Sequence, residues 1–133
     1  MSNKQVVIDF IEKGYNNRDY DAVIKLLDEN YYDHSPAKAR SPYDAVNILK
    51  IVENIFSDMN VEIVDLIEEE EKVAGRFIFR AIHKNEFLGI KATNKPIEWE
   101  ATEIFLIKKG KIIESWGYWP DSEIKNKLIE MHK

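Results

Sequence analysis

Three places in the chain set titratable side chains where proton chemistry could occur. The first is Glu103. From Ile97 to Ile107 the residues alternate, with Ile97, Trp99, Ala101, Glu103, Phe105 and Ile107 on one parity and Glu98, Glu100, Thr102, Ile104, Leu106 and Lys108 on the other. Glu103 is the one charged side chain on the apolar parity. Burying an ionised carboxylate there without a partner is costly or forces its pKa upward. A carboxyl held in that way is suited to donate or accept a proton near neutral pH. The same placement also suits a structural carboxyl closed by an arginine, a tyrosine hydroxyl or an internal water. The second place is Asp33-His34, which follows Tyr31-Tyr32 and precedes Ser35-Pro36. Loops carried on a rigid scaffold often hold functional groups, although an aspartate there also makes an Asx-type turn that merely caps the loop. The third is His83, inward by parity but at the end of its alternating run, where exposure to solvent is expected.

Other chemistries find no foothold. There is no cysteine, and His34, His83 and His132 share no metal-ligand spacing, so a metal site is not expected. No Gly-x-Gly-x-x-Gly run cradles a phosphate, and no Gly-x-Ser-x-Gly elbow presents a serine nucleophile. The formal charge of −5 comes without a basic stripe, which argues against nucleic acid. No apolar run approaches the ~20 residues that cross a membrane. The N-terminal segment lacks the features of a signal peptide, and a cytoplasmic protein is expected. Six Phe, six Tyr and three Trp supply abundant aromatic surface. Tyr15, Phe56, Phe77, Phe79, Trp99, Phe105, Tyr118 and Trp119 are the candidate walls of a small-molecule pocket, since such pockets combine aromatic lining with a few polar groups.

The elements that must position these residues divide the chain in two. The first half reads as helices. Ser2 and Gln5 resemble a capping box ahead of Val6, Val7, Phe10, Ile11 and Tyr15. A polar break at 16–19 precedes a short helix with Ala22, Val23, Leu26 and Leu27 inward. Asp28 to Pro42 reads as irregular. Ser41-Pro42 then starts a third helix, whose apolar face runs from Ala45 through Leu49 and Val52 to Phe56. The second half changes to period two. Strands are expected at Val61 to Ile67, Val73 to His83, Ile97 to Ile107 and Lys111 to Tyr118, with a hairpin at Lys109-Gly110 and a closing helix from Pro120-Asp121. Helices followed by an antiparallel meander describe an α+β domain over residues 1–133, helices packed on one sheet face.

An ordered series of motifs then carries a family likeness. His83-Lys84-Asn85-Glu86-Phe87-Leu88-Gly89-Ile90 leads through Thr93 to Lys95-Pro96-Ile97-Glu98-Trp99. Asn16-Asn17-Arg18-Asp19-Tyr20-Asp21 and Tyr32-Asp33-His34-Ser35-Pro36 precede it. Ile104-Phe105, Gly110-Lys111-Ile112-Ile113-Glu114 and Ser115-Trp116-Gly117-Tyr118-Trp119 follow. Over nearly its whole length the chain resembles the SnoaL-like polyketide cyclases. The resemblance implies a nuclear-transport-factor-2-like cone: N-terminal helices on a curved antiparallel sheet that encloses a pocket. It further implies a homodimer, no metal and no organic cofactor. Characterised cyclases of this kind close a ring by an intramolecular aldol reaction, with a histidine on the penultimate long strand and an aspartate on the last. Glu103 stands at the histidine position here, and Gly117, or Tyr118 if the strand bulges, stands at the aspartate position.

The cyclase pair therefore does not carry over residue by residue, and three readings stay open. One is an acid/base enzyme of the cyclase, isomerase or lyase type, with Glu103 catalytic and Asp33, His34, Tyr15 or Tyr118 assisting. The second is a ligand-binding protein without catalysis. The third is an interaction module built on Ile78, Ile82, Ile104 and Leu106 of the outer sheet face, a surface that a homodimer would cover.

Overall fold

A computed structural model of the chain describes residues 2–133. Helix α1 (Asn3–Ile11) opens with the Ser2 side chain accepting from the Gln5 N–H and buries Val6, Val7, Phe10 and Ile11. One π-helical segment, Glu12–Asn16, follows it. Helix α2 (Tyr20–Leu26) is capped by Asp19, and α3 (Pro42–Ile55) by Ser41 with proline in its first turn. Five strands, β1 (Leu27–Asp33), β2 (Phe56–Glu69), β3 (Lys72–His83), β4 (Pro96–Lys108) and β5 (Lys111–Tyr118), form one sheet in the order β1-β5-β4-β3-β2. Helix α4 (Asp121–Met131) packs against β4. The sheet is curved and unclosed, and the helices lie against it in the α+β arrangement expected.

The inward parity of β3 and β4 is the core. Val73, Phe77, Phe79, Ala81, Ile97, Trp99, Ala101, Phe105 and Ile107 are all buried. The outer parity carries Arg76 between Asp65 and Glu100, and Arg80 between Glu62 and Glu98. Cross-strand pairs of opposite charge suit a wet face. At the Lys109-Gly110 turn both residues have positive φ (53° and 75°), the geometry of a tight two-residue hairpin.

Four expectations are corrected. Leu27 to Asp33 is a strand rather than part of an irregular segment, and it runs parallel to β5 at the sheet edge. Its polar sequence hides it: only Leu27, Tyr31 and Asp33 turn inward and are buried. Leu27 accordingly leaves the second helix, of which only Val23 is buried. Phe56 is the first residue of β2, not the last of α3. β2 starts five residues before Val61, and register shifts at Ser57/Asn60 and Ile63/Asp65, with Asp58 at φ 53°, break the alternation that would reveal it. His83 is 0% exposed. The chain beyond the strand folds back over it: the Thr93 N–H donates to its Nδ1 (3.1 Å) and the Asn94 N–H to its carbonyl (2.8 Å). Nδ1 is thus an acceptor, as in neutral imidazole, and burial lowers the pKa.

Phe105 lies between the Phe10 and Phe77 rings (centroids 5.9 and 6.5 Å) and is 0% exposed, whereas its neighbour Ile104 is 43% exposed. Phe105→Ala should therefore destabilise the fold by about 3–5 kcal/mol. Ile67→Ala, at a position 68% exposed, should change stability by no more than about 0.5 kcal/mol. Urea unfolding of the two variants measures this contrast.

Candidate functional site

Between the inner sheet face and α3 lies a cavity of about 270 Å³. Ile48, Leu49 and Val52 of α3 form one wall, and Phe77, Phe79 and Ala101 of the sheet form the other. Glu103 enters from β4. It is flanked on both sides by glycine: the register pairs it with Gly75 on β3 and with Gly117 on β5. A Cβ at Gly117 would stand 2.7 Å from the Glu103 carboxyl carbon, so the missing side chain is the space the carboxyl occupies. A Cβ at Gly75 would stand 2.2 Å from the Phe77 ring, which folds into the other glycine's place. The register also decides which residue faces Glu103. It is Gly117, with Tyr118 opposite Thr102.

Protein surrounds the Glu103 side chain except where it opens to the cavity. Burial, with the negative charge of Asp33 adding to it, pushes the carboxyl up to about 8, while the Ser115 hydroxyl pulls the other way. Burial therefore favours the neutral acid form of Glu103. Asp33 arrives from β1 and is 8% exposed. Its two oxygens accept from the Ser35 N–H (2.8 Å) and hydroxyl (2.7 Å), a turn that both fixes the loop and supplies donors to a carboxylate. Tyr15 is turned to the cavity by the π-helical segment. That segment is pinned by Asn16, which accepts from the Val61 N–H (2.7 Å) and donates to the Val61 carbonyl (3.1 Å). Such π segments recur at functional sites. Burial, Glu103 and Asp33, in that order, raise the Tyr15 pKa. Tyr31 is raised by burial first and then by Glu103, and its hydroxyl pairs with that of Ser115 at 2.5 Å.

The cavity thus brings together Glu103, Asp33, Tyr15, Phe77, Phe79, Tyr118 and Trp119. It does not include His34. Strand alternation sends Tyr31 and Asp33 inward and Tyr32 and His34 outward, where His34 stacks on Trp116 (4.7 Å) and meets Glu114 at 3.3 Å. Phe56, Trp99 and Phe105 also stand behind the wall: Trp99 stacks on Phe79 (5.5 Å) and packs on Phe56 (4.9 Å). Tyr118 is 58% exposed at the mouth, where its hydroxyl donates to the His34 carbonyl. Sequence reasoning missed Tyr31, Ser115, Phe87 and Leu88. The first was within reach, since Tyr31 shares Asp33's parity once the segment is read as a strand. Phe87 and Leu88 sit on a hairpin tip whose Phe87 and Ile90 exchange both backbone hydrogen bonds. No group of three or more His, Cys, Asp or Glu that could hold a metal ion occurs among the described residues. No helix among them is long and apolar enough to cross a membrane.

A family model described as SnoaL-like polyketide cyclase matches residues 5–128. No curated protein matches the sequence. Among solved structures, the chain is similar to IdmH of Streptomyces antibioticus, a candidate polyketide cyclase: TM-score 0.86 at 20% identity, covering 96% of this chain and 99% of that one. AclR of Streptomyces galilaeus, a candidate hydroxylase, gives 0.83 at 23% over 96% of each chain. An epoxide hydrolase of Mycobacterium tuberculosis gives 0.76 at 14%, covering 98% and 91%. At these identities the likeness establishes the fold.

A carboxyl that stays protonated to about pH 8 when folded, but ionises near 4.5 when unfolded, stabilises the fold most below pH 4.5. That contribution is lost as pH rises towards 8, because only the unfolded state then gives up the proton. Glu103→Gln keeps the shape and removes the titration. Its stability relative to the native protein should rise between pH 5 and pH 8 by at least about 2 kcal/mol, with an upper limit of about 4 kcal/mol because water reaches the cavity. Denaturant unfolding at the two pH values reads the difference.

Proposed function

Because the chain belongs to the SnoaL-like polyketide cyclase family, we propose that it is a cofactor-free acid/base enzyme of the cyclase, isomerase or lyase type. Its substrate is a small apolar or polyketide-like molecule. The observation that carries this reading is the Glu103 carboxyl set between two glycines on an apolar cavity wall, where burial raises its proton affinity, with Asp33 facing the same space. A buried carboxyl whose proton affinity is raised, beside a second carboxyl held at the same cavity by the Ser35 donors, can supply an acid and a base. A carbonyl oxygen in the cavity accepts a hydrogen bond from the Glu103 hydroxyl. Asp33 takes the proton from the adjacent carbon, and Glu103 gives its proton to the oxygen as charge develops there. The resulting enol returns its O–H proton to Glu103 as it either regains the Asp33 proton at carbon or attacks a second carbonyl of the same molecule, whose oxygen then takes the Asp33 proton. Trp119, Phe79 and Phe77 exclude water and shape the walls.

The homodimer is part of the same proposal. It is supported by the outer sheet face, where Ile78, Ile82, Ile104 and Leu106 lie among the arginine ion pairs. A non-catalytic ligand-binding protein is the second reading, favoured by the absence of any acid at Gly117.

Deuterium exchange from D₂O into the carbon next to the carbonyl of a β-keto ester, such as ethyl benzoylacetate, separates the two. The native protein should accelerate exchange over buffer. Glu103→Gln should lower the enzymatic rate by about 10²–10⁴-fold. Gly117→Ala keeps the carboxyl but displaces it, and should also slow exchange with the fold intact by circular dichroism. No acceleration by the native protein favours the binding protein, and full activity in Glu103→Gln removes Glu103 from the chemistry.

A further inference from the structure

The cavity wall is one-sided in charge. Asp33 and Glu103 face the interior and Asp121 stands at the rim, yet no Lys, Arg or His is among the lining residues described. Arg40, which reaches the Asp33 main chain, directs its guanidinium away from the cavity. Arg40 donates to the main-chain carbonyls of Asp33 and Ala39 (2.9 and 3.0 Å), and its guanidinium lies over the Tyr32 ring (3.8 Å) on the outer side. The rest of the wall is rich in aromatic rings. Tyr15 meets Phe79 edge-on at 5.3 Å, Trp119 packs on Phe79 at 5.3 Å, and Phe77 and Phe87 complete the lining. Ring faces attract cations through their quadrupole, and more strongly where water is excluded. Carboxyls in the same enclosure add charge-assisted hydrogen bonds to an N–H donor.

From this arrangement we infer that the cavity selects by charge: it takes a compact apolar amine in its protonated form and rejects carboxylates and phosphates of the same shape. The amine nitrogen sits between Glu103 and Asp33, and its ring or chain lies against Phe77, Phe79 and Trp119. A volume of about 270 Å³, at the lower end of small-molecule sites, limits the apolar part to a ring or a short chain. The groups facing Glu103 all favour this sign. They are Asp33 and the Tyr31 hydroxyl from β1, the Tyr15 hydroxyl from the π-helical segment and the Ser115 hydroxyl from β5, and none carries positive charge. A bound ammonium stabilises the ionised form of Glu103, so binding at neutral pH releases a proton to the buffer. The inference rests on the same cavity as the proposed function but not on any chemistry taking place in it.

Calorimetric titration with 2-phenylethylamine, 2-phenylethanol and 3-phenylpropionate tests it. The amine should bind at least about tenfold more tightly than the alcohol at pH 8.5, and the carboxylate most weakly of the three. At pH 7 the heat of amine binding should depend on the ionisation enthalpy of the buffer, which reports the released proton. Glu103→Gln should abolish that proton release and narrow the amine's advantage over the alcohol. Equal affinity for all three probes, tighter binding of the carboxylate, or no binding of the amine at millimolar concentration would overturn the inference. Each of those results leaves the deuterium-exchange test of the proposed function standing on its own. Conversely, amine selectivity without exchange would identify a charge-selective binding protein.

Discussion

Placing one carboxyl inside an apolar sheet face is the constraint around which this molecule is arranged. A strand in the middle of a sheet has neighbours on both sides, and ordinary side chains there would leave Glu103 no room. Here the cross-strand partners are Gly75 and Gly117. One glycine yields its space to the carboxyl and the other to the Phe77 ring, which closes the wall beside it. Glycine in a strand interior weakens the sheet and marks a place where another group approaches closely. Two of them flanking one acid trade sheet stability for a buried carboxyl at a defined position.

The remaining polar groups follow from the same geometry. β1 joins the sheet in parallel beside β5, and its register sets Asp33 opposite Ser115. Ser115 is two residues before Gly117 and so on the same face. The edge strand therefore delivers a second carboxyl and the Tyr31 hydroxyl to the ground in front of Glu103. From the helical side, the π-helical segment does the equivalent for Tyr15. Tyr15 lies within it and meets Phe79 of the sheet edge-on, and the hydrogen bonds between Asn16 and Val61 tie the segment to β2. Three different devices (a glycine pair, a parallel edge strand and a π turn) thus converge on one cavity of about 270 Å³.

How much of this was legible depends on whether the signal was periodic. β3 and β4 alternate without interruption, so their inward residues and the placement of Glu103 could be read directly, and the caps Ser2 and Ser41 marked helix starts. β2 and β1 could not be read in the same way. In β2 two register shifts break the period, so by local pattern Phe56 reads as the end of the preceding helix face. In β1 the inward positions are Leu27, Tyr31 and Asp33, within a run of Asp, Glu and Asn that composition assigns to a loop. The error at β1 propagated into the site: without alternation, Asp33 and His34 stay together as a pair, whereas a strand must send them to opposite faces. His83 failed for another reason. Its burial comes from a loop that returns over it ten residues later, a long-range closure that no local pattern contains.

The position of Asp33 also bears on how this chain departs from the pattern its family resemblance implies. That pattern sets a histidine on the penultimate long strand against an aspartate on the last. Here the first position holds Glu103 and the second holds Gly117, and the glycine is required by the glutamate, because any side chain at 117 would collide with the carboxyl at 103. The two departures are one change. A longer acid on β4 needs the room that an acid on β5 would occupy, so a second carboxylate has to come from elsewhere. β1, the next strand outward, offers Asp33 to the same cavity, with Ser35 holding both of its oxygens. Under the proposed function the acid/base pair is then conserved in kind while its second member has moved one strand towards the sheet edge. The move changes the charge of the site as well as its geometry: replacing an imidazole by a carboxyl removes the only cation such a pair could form and leaves a wall that is neutral or negative at every pH.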